Sequence, residues 1–270
     1  MELKELRAAW RADAGRDRDA VVRLWDGMAS RFVRRDVTLE NNVFLRLMAE
    51  KSELSEKTAV LDLGCGTGSY ILALAPRIGR GVGCDISAEM LSAARAGAGE
   101  KRLDNVEFLR LDWQTADIDE LGWREKFDVV FAHMTPAVAD YDTLDKMVLC
   151  ARKHCYLTKP CRRTDLLLDA GMDVLGLRRR DAGGDTMMEN TFAYLWRKGF
   201  EPAFTYEHRD NETETGVEDA VSSALRWAAL QRETGPEDEE KLREYYASVA
   251  GNGKVKGRTV STVVTIDWAV

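Results

Sequence analysis

Residues 60–70, VLDLGCGTGSY, constrain the fold more tightly than any other stretch of the chain. A short apolar run over 59–63, interrupted only by Asp62, leads into glycines at alternate positions, Gly64, Gly66 and Gly68, and residues 71–75 then resume a helical spacing. The order is strand, tight turn, helix start. Glycine lacks the Cβ that blocks left-handed backbone and close approach, and a helix start presents N–H groups with no partner inside the helix. Such a turn is built to touch a ligand.

Strands alternate with helices after this turn. Apolar runs over 59–63, 81–85, 106–111, 127–132 and 154–158 read as strands, the last closed by Pro160. Between them lie helix signals: 68–75 before Pro76, a helix capped by Ser87 with Glu89 in its first turn and Met90, Leu91 and Ala94 on its apolar face, and 143–153. Later come helices near 164–174 and 187–198, a strand at 203–208, helices near 217–231 and 237–249, and an alternating final strand at 259–268. Serial strand–helix units predict an α/β fold with a doubly wound, mostly parallel seven-stranded sheet, its last strand antiparallel. Residues 1–57 carry helical spacing and form an N-terminal helical cap; 58–270 form the α/β domain, with a helical insertion at about 211–256 before the last strand.

Composition narrows the ligand classes. The 270 residues are 45% hydrophobic, enough for a sizeable core, and carry a formal net charge of −7. An acidic chain argues against a general binder of phosphate backbones, so a small-molecule partner is expected and no nucleic acid. The charged N-terminus and the lack of a long apolar stretch predict neither a signal peptide nor a membrane span, and a cytoplasmic location follows. Cys65, Cys84, Cys150, Cys155 and Cys161 are odd in number and form no CxxC pair, which disfavours a disulfide framework and a zinc knuckle. Reduced thiols and no metal site are the expectation.

Spacing separates three ligands for the glycine turn. A phosphate-gripping loop needs GxxxxGK followed by Ser or Thr, and no lysine follows here. A dinucleotide turn needs a third small residue where Ser69 stands, and the third glycine comes one position early. The third reading is a nucleoside without phosphates, carrying an amino-acid tail across the carboxyl ends of strands one to three. Asp85, ending strand two, is placed to accept from both ribose hydroxyls, with Ile86 against the purine; Asp112, ending strand three, is placed to accept from an adenine amine, with Trp113 as an aromatic surface or as plain core.

At this point the chain resembles a known family. VLDLGCGTGSY, GVGCDISAEML, NVEFLRLDW and FDVVFAHMTPAV are similar, in order and spacing, to the successive motifs of class I S-adenosylmethionine-dependent methyltransferases, whose fold is Rossmann-like, and WDGMASRF at 25–32 resembles the lead-in of small-molecule members. The resemblance implies S-adenosyl-L-methionine as cofactor, S-adenosyl-L-homocysteine as product, and methyl transfer to a small molecule. It places Asp62, Gly64, Cys65, Gly66 and Gly68 at the methionine part, Asp85 at the ribose, Ile86 at the adenine and Asp112 with Trp113 at the adenine edge; Met90 and His133 complete the pocket.

Methyl transfer is an in-line displacement that needs alignment more than acid or metal chemistry, although an acceptor hydroxyl or amine must lose a proton. His133, following strand four, is the candidate base; its alternative is a wall of the cofactor pocket. The HMTP sequence at 133–136 departs from the Asn/Asp-Pro-Pro-Tyr/Phe signature of many amino-group methyltransferases, which disfavours an exocyclic amine. Arg178, Arg179 and Arg180 beside Asp181 read as an anion grip or a solvated loop, and Trp10, Trp25, Phe32, Trp227, Tyr245 and Tyr246 as an aromatic roof over the acceptor or as core. The rival functions are a non-catalytic sensor of the same adenosyl ligand and a tRNA or protein methyltransferase.

Overall fold

The computed structural model describes residues 2–11, 17–32, 37–177 and 184–270; the arginines at 178–180 and Asp181 lie outside them. Four helices lead in, α1 (Leu3–Ala9), α2 (Arg18–Asp26), α3 (Ala29–Phe32) and α4 (Val43–Lys51). The alternating region follows as β1 (Ala59–Leu63), α5 (Ser69–Leu74), β2 (Arg80–Asp85), α6 (Ala88–Glu100), β3 (Val106–Arg110), β4 (Phe127–His133), α7 (Tyr141–Cys150) and β5 (Ala151–Asp165). The chain then runs through α8 (Leu166–Val174), α9 (Gly184–Arg197), β6 (Ala203–Gly216), α10 (Val217–Ala228), α11 (Pro236–Val249) and β7 (Lys254–Ala269).

All seven strands join one sheet in the order β3-β2-β1-β4-β5-β7-β6. The first five are parallel, and β7 pairs antiparallel with both β5 and β6. The expected doubly wound, mostly parallel seven-stranded sheet is therefore the observed one. Every residue of β4 is buried, as a central parallel strand covered on both faces requires. On one face Phe44 and Met48 of α4, Ile71 of α5 and Leu91 of α6 pack on Val60, Val129 and Phe131. On the other, Leu6 of α1, Leu144 and Met147 of α7 and Leu195 of α9 pack on Leu61, Val130 and Ile266.

Local chemistry explains the element ends. The Ser87 hydroxyl accepts from Met90 N at 3.1 Å and so caps α6, as its position predicts. Asp140 caps α7 through Thr143 N at 2.9 Å, starting that helix two residues earlier than expected. Two larger differences concern the far half of the sheet. Pro160 does not close β5, because β4 ends at His133, opposite Thr158; beyond it one side of β5 is open, and a missing N–H there costs no ladder bond. Likewise β6 and β7 continue through 211–216 and 254–258 as a paired hairpin, so the helical part of the insertion is α10 and α11 alone. The charged run EHRDNETETG hides this strand, since a solvated edge strand needs no apolar alternation.

These extended arms carry a second, smaller core. Leu168 and Met172 of α8, Val221 and Ala224 of α10, and Leu242 and Tyr246 of α11 meet Val255, and the Tyr246 hydroxyl donates to Leu167 O at 3.0 Å. Tyr246, with Trp227 and Tyr245 packed beside it, therefore belongs to this core and not to a roof over the acceptor, while Trp10 is buried in the main core. The insertion still meets the N-terminal helices near Gly27, where an added Cβ would lie 3.5 Å from Arg226 Cδ. No helix among the described residues is long and apolar enough to cross a membrane.

Candidate functional site

The turn after β1 is held in left-handed backbone at all three glycines, with φ of 65°, 55° and 73° at Gly64, Gly66 and Gly68. Their missing side chains serve different ends. A Cβ at Gly64 would sit 2.0 Å from Thr135 Oγ1, and one at Gly68 would sit 2.9 Å from Phe108 Cε1, so both are sites of close packing. At Gly66 the nearest atom would be Met90 Sδ at 3.8 Å, leaving this glycine open to a ligand. Cys65 is buried, and its N–H donates to Cys84 O at 3.0 Å, tying the turn to the end of β2.

Two acids stand beside the turn. Asp85 accepts from Gly66 N and Ser87 N, both at 2.9 Å, one oxygen each; burial nevertheless holds its pKa above the ordinary carboxylate value, with Asp26 adding to the rise. Asp62 is wholly buried, and burial together with Asp85 pushes its pKa well up. Its Oδ2 has no hydrogen-bond partner among the described residues. An orphaned buried carboxylate oxygen is costly until a cationic or N–H donor reaches it. The α-ammonium of S-adenosylmethionine is such a donor, and a glycine with open space lies beside it, so these residues fit that cofactor.

The adenine side differs from expectation. Ile86 sits at the end of β2 with its carbonyl accepting from Arg110 Nε at 3.3 Å. Asp112, expected to face an adenine amine, is ion-paired with Arg18 of α2, which also contacts Gln114. Trp113 is turned into the core: it is 2% exposed, donates Nε1 to Thr143 O at 3.1 Å and stacks under Lys146. The residue after a strand can face either side of a turn, and here burial against α7 decides, so Trp113 offers no adenine surface. At its other end α2 places Asp26 to accept from the Ser87 hydroxyl and from Glu89 N. Helix α2 thus bridges the ends of β2 and β3, a cover that only a contact 94 residues long in sequence could reveal.

His133 closes β4 on the face of α4 and α5. Its ring lies between Phe44 and Tyr70, with centroids at 4.5 and 4.1 Å, and is buried. Beside it runs a narrow cleft lined by Val43, Phe44 and Leu47 of α4, His133, and Thr205 and Glu207 of β6. Glu207 is paired with Arg209 at 2.5 Å, half-buried at the cleft mouth. Helix α4 carries its polar ties at its far end, where Lys51 Nζ contacts both oxygens of Asp267 at 2.8 Å and the hydroxyls of Ser52 and Tyr156 lie 2.7 Å apart, while Phe44 and Leu45 hold its near end by core packing. Tyr70, Phe44, Arg18 and Asp26 were not picked out by sequence as site residues, although Tyr70 closes the glycine motif itself. Among the described residues no group of three or more His, Cys, Asp or Glu side chains could hold a metal ion.

Fold and site together define a Rossmann-like domain whose glycine turn and buried acids fit an adenosyl amino acid. In agreement, residues 54–164 match the family model described as a methyltransferase domain. Over these residues the chain is similar to methyltransferase domains, consistent with the class I S-adenosylmethionine-dependent methyltransferases. The YcgJ protein of Bacillus subtilis shares the fold, with a TM-score of 0.50 at 17% identity over 83% of this chain and 96% of that one. A 23S rRNA (uracil(1939)-C(5))-methyltransferase from Haemophilus influenzae is 28% identical over 54% of this chain and 34% of its own length, and a mouse tRNA (uracil-5-)-methyltransferase homolog A is 41% identical over 24% and 11%. The chain spans about a third of the length of the first of these relatives. The expectation that nucleic acid has no place among its partners is overturned by these RNA-modifying relatives; overall acidity describes the whole surface and does not report on one acceptor cleft.

Proposed function

We propose that this chain transfers a methyl group from S-adenosylmethionine to a small planar acceptor that enters the cleft beside Phe44 and His133. The observation that carries the reading is the placement of His133 between two aromatic rings, one of which, Tyr70, belongs to the first turn of the helix that begins at the glycine turn. The cofactor, when bound, supplies an electrophilic methyl on a sulfonium. Asp62 and Asp85 orient the donor, α2 covers its adenosine side, and Phe44 with the His133 edge in the cleft wall aligns a flat acceptor, the geometry on which displacement depends. The His133 imidazole takes up the acceptor's proton. A carbon acceptor such as a pyrimidine C5 requires addition of a nucleophile to the ring, and all five cysteines are buried, with burial pushing the thiols of Cys65, Cys84, Cys150 and Cys155 up. An oxygen or nitrogen acceptor suits this site better. A cytoplasmic setting, where such thiols stay reduced, belongs to the same reading.

A second reading, a base presented by RNA, is favoured by the rRNA and tRNA relatives. The two separate when the protein is incubated with methyl-labelled cofactor and either a metabolite extract or total RNA, with products followed by mass spectrometry. Label in the small-molecule fraction establishes the first reading; label in RNA establishes the second. Retained S-adenosylhomocysteine binding with no labelled product in either fraction would leave a ligand sensor. In the productive fraction His133→Ala should cut transfer by about 100-fold or more at unchanged cofactor affinity. Loss of affinity instead would make His133 a pocket wall.

A further inference from the structure

A buried lysine lies beneath the turn that follows β4. Lys159 of β5 is 8% exposed, and its Nζ donates to the carbonyl oxygens of Thr135 and, at 2.7 Å, Val138. Burying an ammonium is expensive unless its donors are used, and a methionine of similar length would fill the same space without that cost. Burial lowers the lysine pKa to about 7.

Three other contacts converge on this turn. Met134 is left-handed, with φ of 55°, a conformation that an ordinary side chain adopts only when its surroundings impose it. Its N–H donates to Thr158 O at 2.9 Å, holding the turn to β5. The Thr135 side chain fills the place where a Cβ on Gly64 would stand, and its hydroxyl accepts from Ala137 N at 3.2 Å. The turn is therefore strained, gripped by Lys159 on one side and pressed against the first glycine of the donor turn on the other. Two carbonyl oxygens aimed at one point repel each other, and the lysine head supplies a donor to each.

We propose that Lys159 is a positioning residue for the methyl-donor pocket: by fixing the Thr135 and Val138 carbonyls it holds Thr135 against Gly64 and sets the shape of the glycine turn before any ligand arrives. This rests on the cofactor reading above. Lys159 touches neither donor nor acceptor and acts through the turn.

The test is calorimetric titration with S-adenosylhomocysteine of the wild type, Lys159→Met, which keeps the stem and removes the donors, and Lys159→Arg, which keeps donors. Lys159→Met should bind about tenfold more weakly or worse, the scale of losing a charge-assisted hydrogen bond, while Lys159→Arg recovers most of the loss and both melt cooperatively. Lys159→Met within about twofold of the wild type overturns the inference, as does a cooperatively melting Lys159→Arg that binds no better than Lys159→Met; the twofold margin is about 0.4 kcal/mol. Hydrogen exchange on the wild type guards against a methionine variant that does not fold. Backbone amides of the 135–139 turn should exchange slowly before ligand is added, and exchange at open-loop rates overturns the preset turn. A wild-type protein that takes up no S-adenosylhomocysteine overturns the cofactor reading and this inference with it, whereas wild-type binding matched by Lys159→Met defeats this inference alone.

Discussion

Strands β1 to β4 are five to seven residues long, with left-handed glycines after β1 and the acids Asp62 and Asp85 on β1 and β2, whereas β5 to β7 run 14 to 16 residues and carry a plain apolar core on their outer arms. Around the glycine turn Asp62 and Asp85, together with Lys159 from the inner half of β5, are buried where water cannot help them, each shifted toward its neutral form by that burial. On the outer arms the charges stay outside: Arg243 pairs with Glu218 and Arg258 with Asp210, exposed pairs that contribute little. One region gives up stability to hold a site, and the other returns it through Leu168, Met172, Leu242 and Tyr246. A substitution of one kind should therefore behave differently in the two.

Alanine for glycine gives the widest separation. Gly64→Ala places a methyl group against Thr135 in left-handed backbone and should cost about 2–5 kcal/mol, with cofactor binding lost. Gly251→Ala, in the outer hairpin with nothing near its added Cβ, should stay within about 0.5 kcal/mol by urea melting. If both are neutral, the glycine turn is not under the constraint described.

The buried lysine gives the next largest effect. Its folded pKa, about 7, lies below the unfolded value, so between pH 7 and 10 the unfolded chain holds a proton that the folded chain has released, and stability rises with pH across that window. The buried thiols act in the opposite sense at the alkaline end, but they are common to wild type and Lys159→Met. The difference between the two proteins in denaturant midpoint should therefore shift in favour of the wild type by about 2–4 kcal/mol from pH 7 to pH 10. A difference that stays flat would mean that the lysine reaches water.

Asp85→Ala should weaken S-adenosylhomocysteine binding by about 1.5–3 kcal/mol in calorimetry, the scale of hydrogen bonds to a charged group. Unchanged affinity would remove Asp85 from the donor site. The smallest effect belongs to the outer core, where Tyr246→Phe removes the bond to Leu167 O; about 1 kcal/mol of stability should go while cofactor affinity stays. A fall in affinity there would show that the two regions are coupled through α10 and Gly27 and are less independent than their cores imply.

The same division decides what could be read from the amino-acid order. The glycine turn, the Ser87 cap and the first four parallel strands are local patterns, and each stands close to where its residues predict, whereas β5 runs past Pro160. The acids Asp62 and Asp85 follow from their places at strand ends. What stayed hidden depends on long-range contact: Arg18 reaching Asp112, α7 drawing Trp113 into the core, and Lys159 meeting carbonyls 21 and 24 residues away. The outer half of β6 was hidden for another reason, because an edge strand facing water is free to carry Glu, Asp and Arg in a run that resembles a loop.

Mechanically, α4 is a cantilever. Its root is riveted at Lys51 and Ser52 to Asp267 and Tyr156, and its tip, held by packing instead of polar bonds, carries Phe44 against His133. From Phe44 to Lys51 the beam is about 10 Å long at the helical rise per residue, so a tilt of roughly 10° at the root moves the tip by about 2 Å. That travel admits the edge of a flat ring without breaking a single rivet, and it makes the stiffness of the Lys51–Asp267 joint, far from the chemistry, the spring constant of the acceptor slot.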